Sequence, residues 1–224
     1  MSNTSNAQAT YNQELTEPIL INTQTAIDST LAKNDNVDNT DLYLAVDNTQ
    51  VVSNEEIDEV KLKKAQEIIL QLQKEMPDYI AKGSGPFLAA VIDENGNIMS
   101  KTANSVVSEE CSNNHAEMNA IKTAQKNLGT YDLSKHNLSL YVTSEPCMMC
   151  IGGIMWSGIK TVYYGVPSKR VEEITGFDEG FKPNWFKEFK NRGITVYGNI
   201  EVEAGEKVLY NYVNTGKTVY QPQR

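Results

Sequence analysis

Pro146-Cys147-Met148-Met149-Cys150 is the stretch that decides the fold, read together with His115-Ala116-Glu117 earlier in the chain. If the two cysteines open a helix, they lie on one face of its first turn, where the helix dipole favours thiolates. His115 can add a nitrogen ligand and leave the fourth position of a tetrahedral Zn²⁺ ion open, as in catalytic zinc sites. The pattern therefore predicts a catalytic zinc site with His115, Cys147 and Cys150 as ligands.

Glu117 lies two residues after the predicted histidine ligand. Its carboxylate can take a proton from water and return it to a leaving amine without binding the metal. A lone C-x-x-C pair is also typical of redox sites and of Cys₄ zinc sites. However, the chain has only one further cysteine, Cys111, and only two histidines. One chain cannot build a Cys₄ site from these residues, so the combined motifs favour the catalytic interpretation.

The H-x-E…P-C-x-x-C combination is the motif of zinc nucleobase deaminases, and through it the chain resembles the cytidine deaminase superfamily. Within that superfamily it is similar to the branch of guanine, guanosine and tRNA adenosine deaminases, over roughly residues 57–212. The resemblance implies hydrolytic deamination with Zn²⁺ as the cofactor. It also implies that Ala116, between the histidine and the glutamate, contacts the substrate.

The composition limits the class of partner. The net charge of −9 disfavours nucleic acid as a partner, because binding it through a broad surface requires a basic patch. Three cysteines, two of them assigned to the metal, indicate a reducing compartment, and we expect a cytoplasmic protein. The sequence contains no run of about 18 apolar residues, and residues 1–10 lack the pattern of a secretory signal, so no membrane partner is expected.

The first part of the chain differs in composition from the rest. Residues 1–54 are rich in Asn, Thr, Gln and Asp and contain no glycine. Such a segment buries too little apolar surface to offset its ordering entropy, which predicts a flexible polar extension. Alternatively, its short apolar groups dock on the core or on a second subunit. The deaminase domain is then predicted to span residues 55–224.

The apolar pattern predicts helices alternating with strands in the second part of the chain. Asn54 is a candidate N-cap for a helix that ends at Pro77, and Asn95-Gly96 is typical of a hairpin turn between two strands. A helix that carries His115 and Glu117 is predicted to end at about Leu128, with Gly129 as its C-cap, because glycine readily adopts the left-handed conformation. The predicted strands are 87–92, 98–103, 138–143, 161–164 and 194–197, with the cysteine helix reaching Trp156 and a last helix at about 205–213. The hairpin is antiparallel and the later strands are parallel, so we expect an α/β fold: a three-layer α/β/α arrangement around a five-stranded mixed sheet, as in the superfamily.

Four further residues are candidates for substrate contacts. Asn104 resembles the base-binding asparagine of purine deaminases, and an amide both donates to and accepts from a base edge; otherwise it caps a turn. Phe87 is either an aromatic wall for the base or a core residue. Trp156 either lines the pocket or packs. Glu145 either binds an exocyclic amine or stabilises the start of the cysteine helix.

The stretch Thr175-Gly176-Phe177-Asp178-Glu179 resembles the Gly-Phe-Asp-Asp segment of guanine and guanosine deaminases, with Glu in place of the second Asp. In that branch the acid supports proton transfer and base recognition. Glu179 and Asp178 are therefore both catalytic candidates, because the longer side chain leaves open which one reaches the site. A solvated acidic turn is the alternative interpretation.

These motifs together predict zinc-dependent hydrolysis of a small purine, with guanine converted to xanthine and ammonia. The alternatives are a tRNA-specific adenosine deaminase, a cytosine or cytidine deaminase, and a non-catalytic zinc-stabilised binding protein. The resemblance also implies a homodimer in which the C-terminal segment of one subunit completes its neighbour's pocket. Tyr210, Tyr212 and Tyr220 are the aromatic candidates for that task.

Overall fold

A computed structural model describes residues 52–53, 55–56, 58–180, 182 and 184–220. The strands are β1 (Val52–Ser53), β2 (Leu88–Ile92), β3 (Ile98–Ala103), β4 (Ser139–Ser144), β5 (Thr161–Val166) and β6 (Thr195–Gly198). The helices are α1 (Glu59–Ala81), α2 (Ala116–Leu128), α3 (Met148–Ser157), α4 (Ser168–Thr175), α5 (Trp185–Asn191) and α6 (Val202–Asn214).

The strands form one mixed sheet in the order β1-β6-β5-β4-β2-β3. β2 pairs antiparallel with both β3 and β4, while β4, β5 and β6 are parallel neighbours. Buried residues of α1 and α6 pack on one face of the sheet, and those of α2, α3 and α5 pack on the other. The predicted three-layer α/β/α fold with a mixed sheet is therefore confirmed.

The sheet has six strands within the described residues, so the expected number of five was wrong. The additional strand is β1, which pairs antiparallel with β6 at the end of the sheet. It lies inside residues 1–54, the segment assigned to the polar extension. Residues 1–51 and 54 lie outside the described part, and the flexibility of the extension stays a prediction. The sequence did not reveal β1, because two residues are too few to show the alternating pattern of a strand. The strand forms because the edge of β6 offers free backbone hydrogen-bonding groups, which exist only once the sheet has folded.

The parallel strands carry a column of stacked tyrosines beneath α1. Tyr141, Tyr163 and Tyr197 occupy equivalent positions on β4, β5 and β6. Their ring centroids are 4.6 Å and 5.2 Å apart along the column, in stacked orientation. The alternate residues of the same strands, such as Leu140 and Val162, face α2 and α3. This two-sided burial fixes the three parallel strands, of which β4 carries residues of the cavity at its carboxyl end.

Both predicted ends of the first helix were wrong. The N-cap is Asp58, whose carboxylate accepts a hydrogen bond from the backbone N–H of Lys61 at 2.8 Å, while Asn54 lies outside the described residues. The helix also continues through Pro77 to Ala81. Met76 and Ile80 are both buried on the same face, so packing across Pro77 offsets the one hydrogen bond that proline removes.

The remaining elements agree with the predictions except for two short helices. Gly129 ends α2 in the left-handed conformation with φ 64°, as predicted. α4 and α5 were not predicted, because seven or eight residues contain too few apolar positions to show a helical period. No helix in the described part of the chain has the length and apolar character that crossing a membrane requires.

Candidate active site

Three side chains meet where two helices begin. His115 is the N-cap residue of α2 and Cys147 that of α3, and neither side chain caps its helix. Instead, His115 Nδ1 lies 3.4 Å from Cys147 Sγ and 3.7 Å from Cys150 Sγ. Zinc bonds of about 2.05 Å to nitrogen and 2.3 Å to sulfur, at a tetrahedral angle, place such atoms about 3.6 Å apart. The donor set therefore fits Zn²⁺ with three protein ligands.

The two thiols differ in their electrostatic environment. The hydrogen bond from Cys150, together with His115, lowers the pKa of Cys147 to about 4. The hydrogen bond to Cys147 and burial raise the pKa of Cys150 well above its ordinary value. These opposite shifts favour a single thiolate in the metal-free site, and ligation by both sulfurs requires the second thiol to lose its proton. The N-terminal ends of α2 and α3 favour negative charge at this point.

Glu117 lies in the first turn of α2, beside the predicted ligands but outside the three-residue ligand set. The residue is only 6% exposed. Burial raises the pKa of its carboxyl to about 7, and the neighbouring Cys147 thiolate adds to the effect. A carboxyl group that titrates near neutral pH is suited to taking up and releasing protons.

A cavity of about 310 Å³ opens beside these groups at the carboxyl end of β4. That volume is at the small end of the range for ligand pockets, about 300–1,000 Å³, and suits a small molecule. The predicted site residues that line it are Phe87, Asn104, His115, Glu117, Glu145, Cys147 and Glu179. The fold thus brings residues from distant parts of the sequence to one pocket.

Asn104 is held in this cavity by its own backbone and by a neighbouring turn. Its backbone N–H donates to the carbonyl of Phe87 at 3.0 Å, and its Oδ1 accepts from the backbone N–H of Val106 at 3.2 Å. A Cβ on Gly85 would lie 2.9 Å from that same Oδ1. Glycine at position 85 therefore leaves room for the amide orientation.

The structure distinguishes the two candidate acids after α4. Glu179 lines the cavity, and its side chain is 7% exposed. Burial raises the pKa of its carboxyl, although Lys182 at 2.6 Å and the Ser168 hydroxyl at 2.6 Å act in the opposite direction. Asp178 does not line the cavity; its Oδ1 accepts from the backbone N–H of Gly180 at 2.7 Å and shapes the turn.

Glu145 lines the cavity, but protein groups already engage both of its carboxylate oxygens. Oε2 accepts from the backbone N–H of Ser168 at 2.9 Å. Oε1 accepts from Trp185 Nε1 at 3.2 Å and lies 3.3 Å from Lys182 Nζ. Its predicted contact with an exocyclic amine stays a prediction, and the observed contacts join the end of β4 to α4 and α5.

Two other predicted substrate contacts lie away from the cavity. Trp156 is 89% exposed near the end of α3 and is absent from the cavity lining. Ala116 is fully buried, and its carbonyl accepts a hydrogen bond from the Thr102 hydroxyl at 2.9 Å. Ala116 adjoins one ligand in the sequence and Trp156 lies on the same helix as another, but helix geometry turns their side chains in different directions from the ligands.

The C-terminal segment lies against the cavity of its own chain. Residues 216–220 and Tyr212 contribute to the lining, and the Tyr212 hydroxyl donates to the carbonyl of Thr218 at 2.6 Å. Tyr210, by contrast, is 47% exposed and lies outside the lining. The segment therefore covers the pocket within one chain.

Sequence reasoning missed two further features of the site. Phe177 lines the cavity with Phe87, at 6.4 Å between ring centroids. Its place inside the Gly-Phe-Asp motif was the available signal. Lys182 is buried beside Glu179 and Glu145, and nothing in the sequence around it distinguishes it from a surface lysine.

Comparison with known proteins places these residues in a family. The model of the cytidine and deoxycytidylate deaminase zinc-binding region matches residues 62–166, which include His115, Glu117, Cys147 and Cys150. The family match and the geometry of the three donors together confirm the predicted zinc cofactor.

Two curated relatives from Bacillus subtilis differ in what they act on. Its guanine deaminase is 40% identical over 97 residues, which are 43% of this chain and 60% of that protein. Its tRNA-specific adenosine deaminase is 36% identical over 126 residues, which are 55% of this chain and 73% of that protein. The match thus spans less than two thirds of the guanine deaminase.

A solved guanine deaminase from Nitrosomonas europaea has a similar structure. It is 32% identical to this chain, with a TM-score of 0.63. The similarity covers 70% of this chain and 93% of that one. It therefore extends beyond the zinc-binding region.

Proposed function

Since the chain belongs to the cytidine and deoxycytidylate deaminase family, we propose that it is a zinc-dependent hydrolase that removes the exocyclic amino group of a free purine base. Guanine is the proposed substrate, and xanthine and ammonia are the products. The observation that carries the proposal is one small cavity that holds Glu117 and Glu179 beside the zinc ligands.

The reaction is the addition of water to the amidine-like carbon of the base and the loss of ammonia. When bound by His115, Cys147 and Cys150, zinc supplies a Lewis acid that lowers the pKa of water to about 7. Glu117 takes the proton from the attacking water. It delivers that proton to the ring nitrogen, then takes the second proton from the hydroxyl group now on the base carbon and gives it to the amino group, which leaves as ammonia while the carbonyl forms.

The other lining groups hold the base. Asn104 presents an amide to the base edge, and Phe87 with Phe177 forms an aromatic wall. Glu179 presents a carboxylate from the segment that follows α4, in the motif that resembles guanine and guanosine deaminases. Residues 216–220 reduce access of water from solvent to the base.

A free base suits this chain better than a tRNA. The net charge of −9 disfavours phosphate contacts, which supply most of the affinity for nucleic acid. The C-terminal segment also occupies one wall of the cavity, where a long strand would need room to enter. The similarity to a tRNA-specific adenosine deaminase makes tRNA a required arm of the test.

The test is ammonia release by the purified zinc-loaded protein from guanine, guanosine, adenine, cytosine and tRNA. We expect turnover of guanine, with xanthine formed in equal amount. Activity on tRNA without activity on guanine would overturn the substrate. Zinc binding with no activity on any of them would favour the non-catalytic alternative.

The assembly and location of the protein stay predictions. A homodimer is supported by an apolar, exposed surface on α3, where Met148 is 38% and Trp156 is 89% exposed. Sedimentation equilibrium of the wild type and of a Trp156→Glu variant tests this interface. The cytoplasmic location rests on the cysteine content alone.

A further inference from the structure

Lys182 is a buried cation for which the proposed reaction gives no task. It follows α4 in a stretch without helix or strand, and its side chain is 7% exposed. Burying an ammonium group costs several kcal/mol unless charged and hydrogen-bonding partners surround it. Its place in the interior therefore requires a structural or functional reason.

Three partners surround the ammonium group. Lys182 Nζ lies 2.6 Å from Glu179 Oε2 and 3.3 Å from Glu145 Oε1, and it donates to the Ser168 hydroxyl oxygen. An ammonium group has three donors, so this set engages all of them. Lys182 is absent from the cavity lining, whereas Glu145 and Glu179 line it. Lys182 can therefore affect a bound base only through these neighbours.

The partners also contact one another and close a ring. Ser168 donates its hydroxyl hydrogen to Glu179 Oε2 at 2.6 Å and its backbone N–H to Glu145 Oε2 at 2.9 Å. Glu145 adjoins β4, and Ser168 is the first residue of α4. The ring thus ties Glu179 to two regular elements of the fold.

Glu179 needs such an anchor because its backbone supplies little. It lies between Gly176 and Gly180, which both have positive φ, in a stretch without helix or strand. Both anchoring contacts fall on Oε2, which leaves Oε1 as the oxygen available to a base in the cavity. A glutamate side chain loses substantial rotamer entropy when it is fixed, and misplacement by about 1 Å can cost on the order of 100-fold in rate.

We propose that Lys182 is a positioning residue: with Ser168 it holds the Glu179 carboxylate at the cavity wall and acts on the reaction only through Glu179. This inference rests on the proposed deaminase function and adds a requirement to it. The ion pair makes the position of one carboxylate depend on a lysine that never touches the substrate.

A double-mutant cycle tests the proposal. Wild type, Lys182→Met, Glu179→Gln and the double variant are compared by kcat and KM with guanine and by zinc content. We expect Lys182→Met to lower kcat/KM by about 100-fold in the wild-type background, as misplacement of a reacting group predicts. In the Glu179→Gln background the same change should alter kcat/KM by less than about threefold, because residues that act as a unit are not additive.

Two further variants keep the result decisive. Lys187→Met is the matched control, because Lys187 is exposed on α5; it should match the wild type. If Lys182→Met does not fold, Ser168→Ala serves in the same cycle, since it removes the hydroxyl donor and keeps the backbone contact with Glu145. We expect it to lower kcat/KM by about tenfold, the effect of one lost charge-assisted hydrogen bond.

The outcomes separate this proposal from the substrate assignment. Equal losses in both backgrounds, or no loss with Lys182→Met and Ser168→Ala, would overturn the positioning role. The cycle is read on whichever of guanine, guanosine, adenine or cytosine the wild type deaminates. A wild type active on another base refutes guanine but leaves the cycle valid, and one inactive on all four overturns both proposals.

Discussion

Replacing Glu117 by glutamine separates proton transfer from folding and metal binding. The two side chains have nearly the same shape, and Glu117 is 6% exposed in the first turn of α2. The amide fills the same space but cannot take up and release a proton at neutral pH. It also removes a carboxylate whose burial is unfavourable, as its raised pKa of about 7 indicates.

The size of the effect follows from the two tasks assigned to this one side chain. General acid–base catalysis contributes about 10²–10⁴-fold to a rate, so kcat for guanine should fall by that factor. The corresponding loss of transition-state stabilisation is about 2.7–5.4 kcal/mol, at about 1.36 kcal/mol for each factor of ten. Zinc content should stay at the wild-type value, because the three donors His115, Cys147 and Cys150 are unchanged.

The assay combines ammonia release, zinc content and a thermal melt of the same preparation. Glu172→Gln is the control, because Glu172 is an exposed carboxylate on α4 and should keep wild-type kinetics. A Glu117→Gln variant with more than about a tenth of the wild-type kcat would refute the assigned proton transfer. Loss of zinc from that variant would show instead that Glu117 is needed for the metal site.

Cys150→Ala should lose most of its zinc, because a three-donor site becomes a two-donor site; atomic absorption of the dialysed protein with full zinc retention would show that the ligands are misassigned. Gly85→Ala should raise KM for guanine about tenfold, because its Cβ would displace the Asn104 amide, and the change should have little effect in an Asn104→Ala background. Deleting residues from 216 onward should raise KM by a similar factor with zinc retained, and unaltered guanine kinetics would exclude the covering role of this segment. Ile69→Ala, at a fully buried position of α1, should cost about 2–5 kcal/mol of unfolding free energy, and urea denaturation that shows a loss below about 1 kcal/mol would contradict the packing described.

Local patterns in the sequence were sufficient for the metal site and for most of the fold. The histidine and the two cysteines could be assigned because zinc accepts few donor types and because C-x-x-C at a helix start places both sulfurs on one side. The long helices and inner strands could be assigned because their apolar periods extend over several turns or pleats. The motif after α4 could be connected to substrate recognition only by resemblance, which left Asp178 and Glu179 both open.

The sequence by itself determined the chemistry available at this site, because two short motifs name the zinc donors and the adjacent proton carrier, and the apolar pattern names the α/β frame. Only the tertiary structure decided that Glu179 and not Asp178 lines the cavity, that Trp156 faces outward, and that Lys182 is buried between Glu145 and Glu179. The physical reason is that these placements depend on contacts between segments far apart in sequence. A loop side chain turns toward the partner that compensates its burial, and that partner is fixed only when the sheet and helices have packed.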